Sequence, residues 1–223
     1  MPRSAATTAP ATVLSAPADD PVAELDRQLA TLIDLGLPAA AGVTAATLRR
    51  RTSPLRDRAA GLAGSTFVLV LPGLLAADRL VALSRMGDRE GFTTMDPDDL
   101  AQFRPTDDVA LPAGKGYLLV DVETGHDSLD VPPEKVLPGM LASGRTPLTL
   151  DEGLALLLQD GRVLRRETCF SMLGSRCGDR RVPALWVSDR RPRLGWCWDG
   201  APHTWLGSAS AVARVGYPAV AVV

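Results

Sequence analysis

The stretch VPALWVSDRRPRLGWCW, running from Val182 to Trp198, decides the fold class. Two runs rich in aromatic and β-branched residues, Val182–Ser188 and Arg193–Trp198, flank the turn-forming segment Asp189-Arg-Arg-Pro192, the pattern of an antiparallel hairpin. Side chains alternate across a strand, so Trp196 and Trp198 share one face and Cys197 takes the other. Pairing Ser188 with Arg193 places Leu185 opposite Trp196 and Pro183 opposite Trp198, which gives a broad apolar face of Val187, Leu185, Leu194, Trp196 and Trp198. On the reverse face Trp186 stands opposite Gly195 and covers its bare backbone, beside Ala184 and Cys197.

Upstream, Thr66–Leu71 (TFVLVL) and Gly116–Val122 (GYLLVDV) are too continuously apolar to alternate and read as strands buried on both faces, the first of them central. Helices are expected over Pro21–Gly36, capped by Asp20; over 44–51, 54–62 and 76–84; from Asp96; and from Pro133, where Pro138 should kink or restart the helix. Thr149-Leu-Asp-Glu152 is a capping box that starts a helix over 150–159. The architecture these elements predict is α+β: N-terminal helices, a mixed sheet containing 66–71 and 116–122, and a Trp-rich antiparallel hairpin packed on it. Residues 1–20 are Ala, Thr, Ser and Pro with almost no large apolar side chain and are expected to form a flexible tail. No Pro/Gly linker divides the rest, so 21–223 reads as a single α+β domain.

Composition narrows the function classes. The 223 residues are 46% hydrophobic and 22% charged, which excludes a disordered chain, a collagen and a coiled coil. The longest apolar run, 67–77, is interrupted by Pro72 and Gly73, so no membrane span is expected. Three cysteines, an odd and low count without a secretory leader, point to a reducing cytoplasm and free thiols. The net charge of −2 hides an asymmetry: residues 1–160 hold 14 Lys/Arg against 22 Asp/Glu, and residues 161–223 hold 10 Arg against 4 Asp/Glu. Either the basic part meets an anionic partner or the two parts attract each other. Arginine outnumbers lysine 22 to 2 and asparagine is absent, a coding bias that inflates arginine everywhere; with a pI near 5.7, nucleic-acid binding is disfavoured.

Several motifs fail on spacing. No G-x-G-x-x-G follows either buried strand, and Gly174-Ser-Arg-Cys-Gly178 puts Arg176 where a nucleophile elbow needs its nucleophile. The acidic run 121–130 departs from the EF-hand pattern at Gly125 and Pro132. Cys169, Cys177, Cys197 and His203 are separated by 7, 19 and 5 residues, without the tight pairs of a structural zinc site, so neither metal nor cofactor is assigned.

The segments GSRCGDRRVPALW (174–186) and LGWCWDGAPHTWLGSAS (194–210) resemble the signature of an uncharacterised family of actinobacterial proteins, a domain of unknown function. The resemblance implies a cytoplasmic bacterial protein. It carries no reaction, ligand or catalytic residue, so the roles below rest on residue chemistry.

Two site readings converge on 174–208. Arg176, Arg180, Arg181 and Trp205, with His203, could form a pocket for a small anionic molecule or a protein partner, guanidinium forks taking the anion and the indole a ring. Alternatively, Cys177 beside Arg176 and Asp179-Arg180-Arg181 could be a nucleophile, with His203 as base and Asp179 or Asp199 orienting it, in an acyl- or group-transfer enzyme. The bland alternative makes the tryptophans core packing.

Overall fold

The computed structural model describes residues 18–165 and 168–218. The tail expected over 1–20 lies outside them up to residue 17. Asp20 belongs to the folded part: its carboxylate accepts hydrogen bonds from the backbone N–H of Val22 (2.9 Å) and Ala23 (3.1 Å) and starts helix α1 (Pro21–Asp34). Leu25, Leu29 and Leu32 recur at helical spacing on its buried stripe. The chain continues through α2 (Leu37–Ala40), α3 (Ala45–Thr52), α4 (Arg56–Ala60), β1 (Phe67–Val70) and α5 (Ala77–Leu83). Then come β2 (Arg85–Met86), β3 (Arg89–Glu90), β4 (Phe92–Thr93), α6 (Pro97–Leu100), β5 (Arg104–Pro105) and β6 (Tyr117–Val120). Next are α7 (Pro133–Ala142), which runs through Pro138, β7 (Thr146–Pro147) and α8 (Leu150–Gln159). The capping box at Thr149 is present, Glu152 accepting the Thr149 N–H at 2.7 Å. The last third is built from strands: β8 (Cys169–Ser171), β9 (Ser175–Arg176), β10 (Arg181–Ser188), β11 (Arg191–Trp198), β12 (Leu206–Ser208), β13 (Ser210–Ala211) and β14 (Ala213–Val215). The fold is α+β.

Two sheets organise it. A three-stranded antiparallel sheet has the order β1-β6-β14, so the two strongly apolar segments pair with each other. β1 is buried along its length yet stands at the edge of this sheet, not at its centre. The edge is closed by a side chain. Gln28 of α1 donates to the Phe67 carbonyl and accepts from the Leu69 N–H, both at 2.7 Å, as a neighbouring strand would. A buried edge without such a partner would leave those groups unsatisfied.

The parallel pairings lie in the second sheet, of order β12-β8-β10-β11-β4, with β12–β8 and β11–β4 parallel and the rest antiparallel. The Trp-rich hairpin is therefore the centre of the mixed sheet instead of a ribbon packed on it. Its turn is shorter than the sequence suggests. Only Asp189 and Arg190 form the loop, both at positive φ (52° and 59°), and Ser188 pairs with Arg191. This is the backbone of a two-residue type I′ connection. The pair next to the turn exchanges hydrogen bonds and the following one, Val187 with Pro192, does not, so proline enters the strand without costing a ladder bond.

The register is offset by two residues from the expected one. Leu185 faces Leu194, Pro183 faces Trp196 and Trp186 faces Arg193. An even offset keeps every side chain on its expected face. One face, with Leu185, Leu194, Val187 and Trp196, packs on the main core. The other carries Val182, Ala184, Cys197 and Trp186 into a smaller cluster with Cys169, Leu173 and Leu206, covered by Val136 and Leu137 of α7.

Candidate functional site

The residues singled out in the sequence are divided between the two faces of the β10–β11 ribbon. Arg181 belongs to the main-core face. Its guanidinium stands 5.8 Å from the Trp196 ring centroid and is held by Asp99 and, at 2.8 Å, by Asp179. The hydrogen bond from Arg181 holds the Asp99 carboxyl below the usual carboxylate range, and the Arg181 backbone N–H, with the guanidinium, does the same for Asp179. The other arginines are matched in the same way. Arg176 lies 3.3 Å from Asp199 and donates to the carbonyls of Leu173 and Ser175, while Arg180 pairs with Glu134 at 2.7 Å. The guanidiniums of Arg176, Arg180 and Arg181 therefore each have an acidic partner within the chain. Asp99 and Glu134 come from the acidic part of the chain, so part of the charge asymmetry is met inside the molecule.

Cys177 does not meet His203. Its thiol donates to Asp179 at 3.2 Å and packs towards the main core, whereas His203 stacks on Trp205 with ring centroids 5.4 Å apart, on the side of Trp186. Burial pushes the Cys177 thiol up, and the carboxylate beside it adds to this more than Arg181 opposes it. A nucleophile needs the reverse shift. The geometry gives no support to a Cys177–His203–Asp179 arrangement. Cys197 is pushed up to about 12 and Cys169 is raised as well, both by burial. Among the described residues no three His, Cys, Asp or Glu side chains gather as metal ligands would.

What the structure does bring together lies on the opposite face. Trp186 and Trp205 meet edge to face, centroids 6.1 Å apart. They form two walls of an open cleft of about 730 Å³, completed by Met86, Leu164, Cys169, Val187 and Thr204. Trp205 keeps 37% of its surface exposed there. Behind it, His203 Nε2 is buried without a hydrogen-bond partner. Against Trp186 lies Arg193, its Cζ 5.3 Å from the ring centroid and 5.6 Å from that of Phe92, on which Arg191 also stacks at 4.4 Å. Arg193 donates to Thr94 Oγ1 at 3.0 Å, its Nε is buried without a partner, and among the described residues no carboxylate pairs with it or with Arg191. Arg193 thus lies against a wall of the cleft, on Trp186, and is not itself among the residues that line it.

Of the expected site residues, the cleft retains Trp205, with His203 stacked behind it. Trp186 was not expected there as a ligand group. The Arg193 that stacks on it is found through the direct Trp186–Arg193 pairing, which appears once the turn is read as two residues.

No curated protein and no solved structure matches this chain. Among family models, one described as a family of unknown function, DUF5701, matches residues 31–217. That match takes in both sheets, the hairpin and the cleft, and with it the chain belongs to the DUF5701 family.

Proposed function

We propose that this protein is a non-catalytic binding domain for a small, ring-bearing anionic ligand, seated in the Trp186–Trp205 cleft. The observation that carries the reading is Arg193: a cation without an acidic partner among the described residues, stacked on the indole that forms the cleft wall. Concave apolar sites with a few polar groups at their edge are the usual form of small-molecule sites, and flat aromatic walls favour a ring. Two free thiols buried within the fold and a third beside Asp179 support residence in a reducing compartment, the cytoplasm. No helix among the described residues is long and apolar enough to cross a membrane.

The test is titration of the full chain with naphthalene-2-carboxylate, followed by tryptophan emission and melting temperature. The expected result is saturable quenching with a rise in Tm by mass action, both lost in Trp205→Ala. A wild-type protein that shows neither change overturns the proposal.

A further inference from the structure

We infer that a second site, sharing no residue with the tryptophan cleft, lies between α1 and the α3–α4 segment and binds a phosphate group carried on a short apolar moiety. A gap of about 360 Å³ opens there. Leu25, Asp26 and Leu29 of α1 line one side of it, and Arg49, Ser53 and Arg56 line the other. Those last three are spaced i, i+4 and i+7, the positions of the stripe that a helix turns towards its neighbour. An apolar stripe would close the helix pair against the leucines of α1. This one supplies two cations and a hydroxyl, and a gap remains between the helices. A folding rule broken locally in this way is what functional positions show.

Arginine is abundant throughout this chain, so position and pairing carry the argument. Of the 14 Lys/Arg in residues 1–160, five fall within 49–58, beside a single acid, Asp57. Arg49 has no carboxylate partner among the described residues. Arg56 pairs with Asp26, but the two side chains are 46% and 53% exposed, and pairs in such positions contribute little. The gap thus holds two cations and one acid of its own, and that acid is readily exchanged for a ligand's charge. Seven helical residues span about 10 Å, so guanidiniums from the two ends of the stripe can hold a tetrahedral oxyanion from opposite sides. Arginine forks suit phosphate in this way. A carboxylate, with two oxygens in one plane, is satisfied by one fork and leaves the other on Asp26. The leucine side of the gap favours a phosphate with an apolar ester group over the bare ion.

The test is the melting temperature of the full chain titrated with butyl phosphate, inorganic phosphate and, at equal ionic strength, sodium chloride. Butyl phosphate should raise Tm saturably, by about 5 °C at about 100 times its Kd. Inorganic phosphate should need a several-fold higher concentration, and chloride should give no such rise. The response should persist in Trp205→Ala, which separates this site from the cleft. It should weaken at least about tenfold in Arg49→Gln, as loss of a charge-assisted hydrogen bond implies. Arg56→Gln should weaken it likewise and keeps the test decisive if Arg49→Gln does not fold. Arg58→Gln, an exposed arginine outside the lining, should behave as wild type. An equal effect of chloride, or an equal loss in Arg58→Gln, reduces the response to general screening and overturns the site. Loss of the response in Trp205→Ala assigns the anion to the cleft and overturns it too. A butyl ester no tighter than inorganic phosphate overturns the apolar part of the assignment.

Discussion

Trp186 stands directly opposite Arg193 on the β10–β11 ladder, and its ring lies diagonally over Gly195. A Cβ built on Gly195 would meet the Trp186 ring at 2.3 Å, so glycine at 195 is what lets this wall of the cleft lie flat. Gly195→Ala should push the indole off the sheet. The expected cost is about 1–3 kcal/mol, as for other overpacked sites, with a shift in tryptophan emission and loss of naphthalene-2-carboxylate binding. Unchanged emission and binding would show that Trp186 does not shape the cleft.

The second prediction concerns thiol chemistry. Because burial and Asp179 raise the Cys177 pKa, its alkylation at neutral pH should be slower than that of a free thiol in an unstructured peptide. His203→Ala should leave the rate unchanged, since the thiol's hydrogen bond goes to Asp179. Asp179→Asn should speed it, because Arg181 would then act on the thiol without an opposing carboxylate. Rapid labelling well below the ordinary thiol pH would restore the nucleophile reading.

These outcomes also mark what the sequence makes legible. Local signals carry through: the Asp20 cap, the Thr149 capping box and the alternation of the hairpin all rest on neighbours in the chain. The register does not, because type I′ turns are announced by Asn-Gly or Asp-Gly and here Asp189-Arg190 adopts one without glycine. The partners of the arginines are hidden for another reason. The charge asymmetry foretells attraction between the two parts, but it cannot say that Asp99 takes Arg181 or that Glu134 takes Arg180. Gln28 is an intermediate case. A polar residue inside the Leu25–Leu29–Leu32 stripe is a visible anomaly, yet the strand edge it closes lies 39 residues away.

A third prediction follows from the most buried ion pair. Glu152 is fully buried and accepts two hydrogen bonds from Arg214, of β14, and one at 2.8 Å from Tyr117 of β6. This network ties the capping box of α8 to the last strand. Arg214→Met leaves the Glu152 charge without its counter-ion and should cost about 3–5 kcal/mol. The double variant Arg214→Met/Glu152→Gln should recover part of that loss in a urea melt. Additive losses in the double variant would show that the two residues do not act as a pair.

The fourth concerns Asp151, a half-buried residue that lines a small pocket with Leu32, Leu69, Leu74 and Leu158 and accepts from the Gly73 N–H at 3.3 Å. Burial raises its pKa, so the folded chain binds this proton more tightly than the unfolded one. Stability from this group is therefore lost as pH rises from the ordinary carboxylate range through the raised folded value, and is flat above it. Asp151→Asn keeps an acceptor for Gly73 without the charge. It should raise Tm at pH 7, and the difference from wild type should vanish in acid. A variant less stable than wild type at pH 7 would mean that the charge at the start of α8 outweighs its desolvation.

The last prediction turns the hairpin register into a sign. In a four-residue turn over 189–192, Arg190 would have ordinary backbone angles, and glycine there would only add freedom to the unfolded chain, costing about 0.5–1 kcal/mol. In the two-residue turn Arg190 sits at φ 59°, where a side chain carries a left-handed penalty of about 1–2 kcal/mol that glycine escapes. The Arg190 side chain is exposed, so its removal takes no core contact away. Arg190→Gly should therefore stabilise the protein by about 0.5–1 kcal/mol, the penalty relieved less the entropy added. Asp189→Asn/Arg190→Gly, the preferred type I′ pair, should do at least as well. Destabilisation of both variants in a urea melt would reject the Ser188–Arg191 pairing. The direct Trp186–Arg193 pair, and with it the stacking of Arg193 on this wall of the cleft, would fall at the same time.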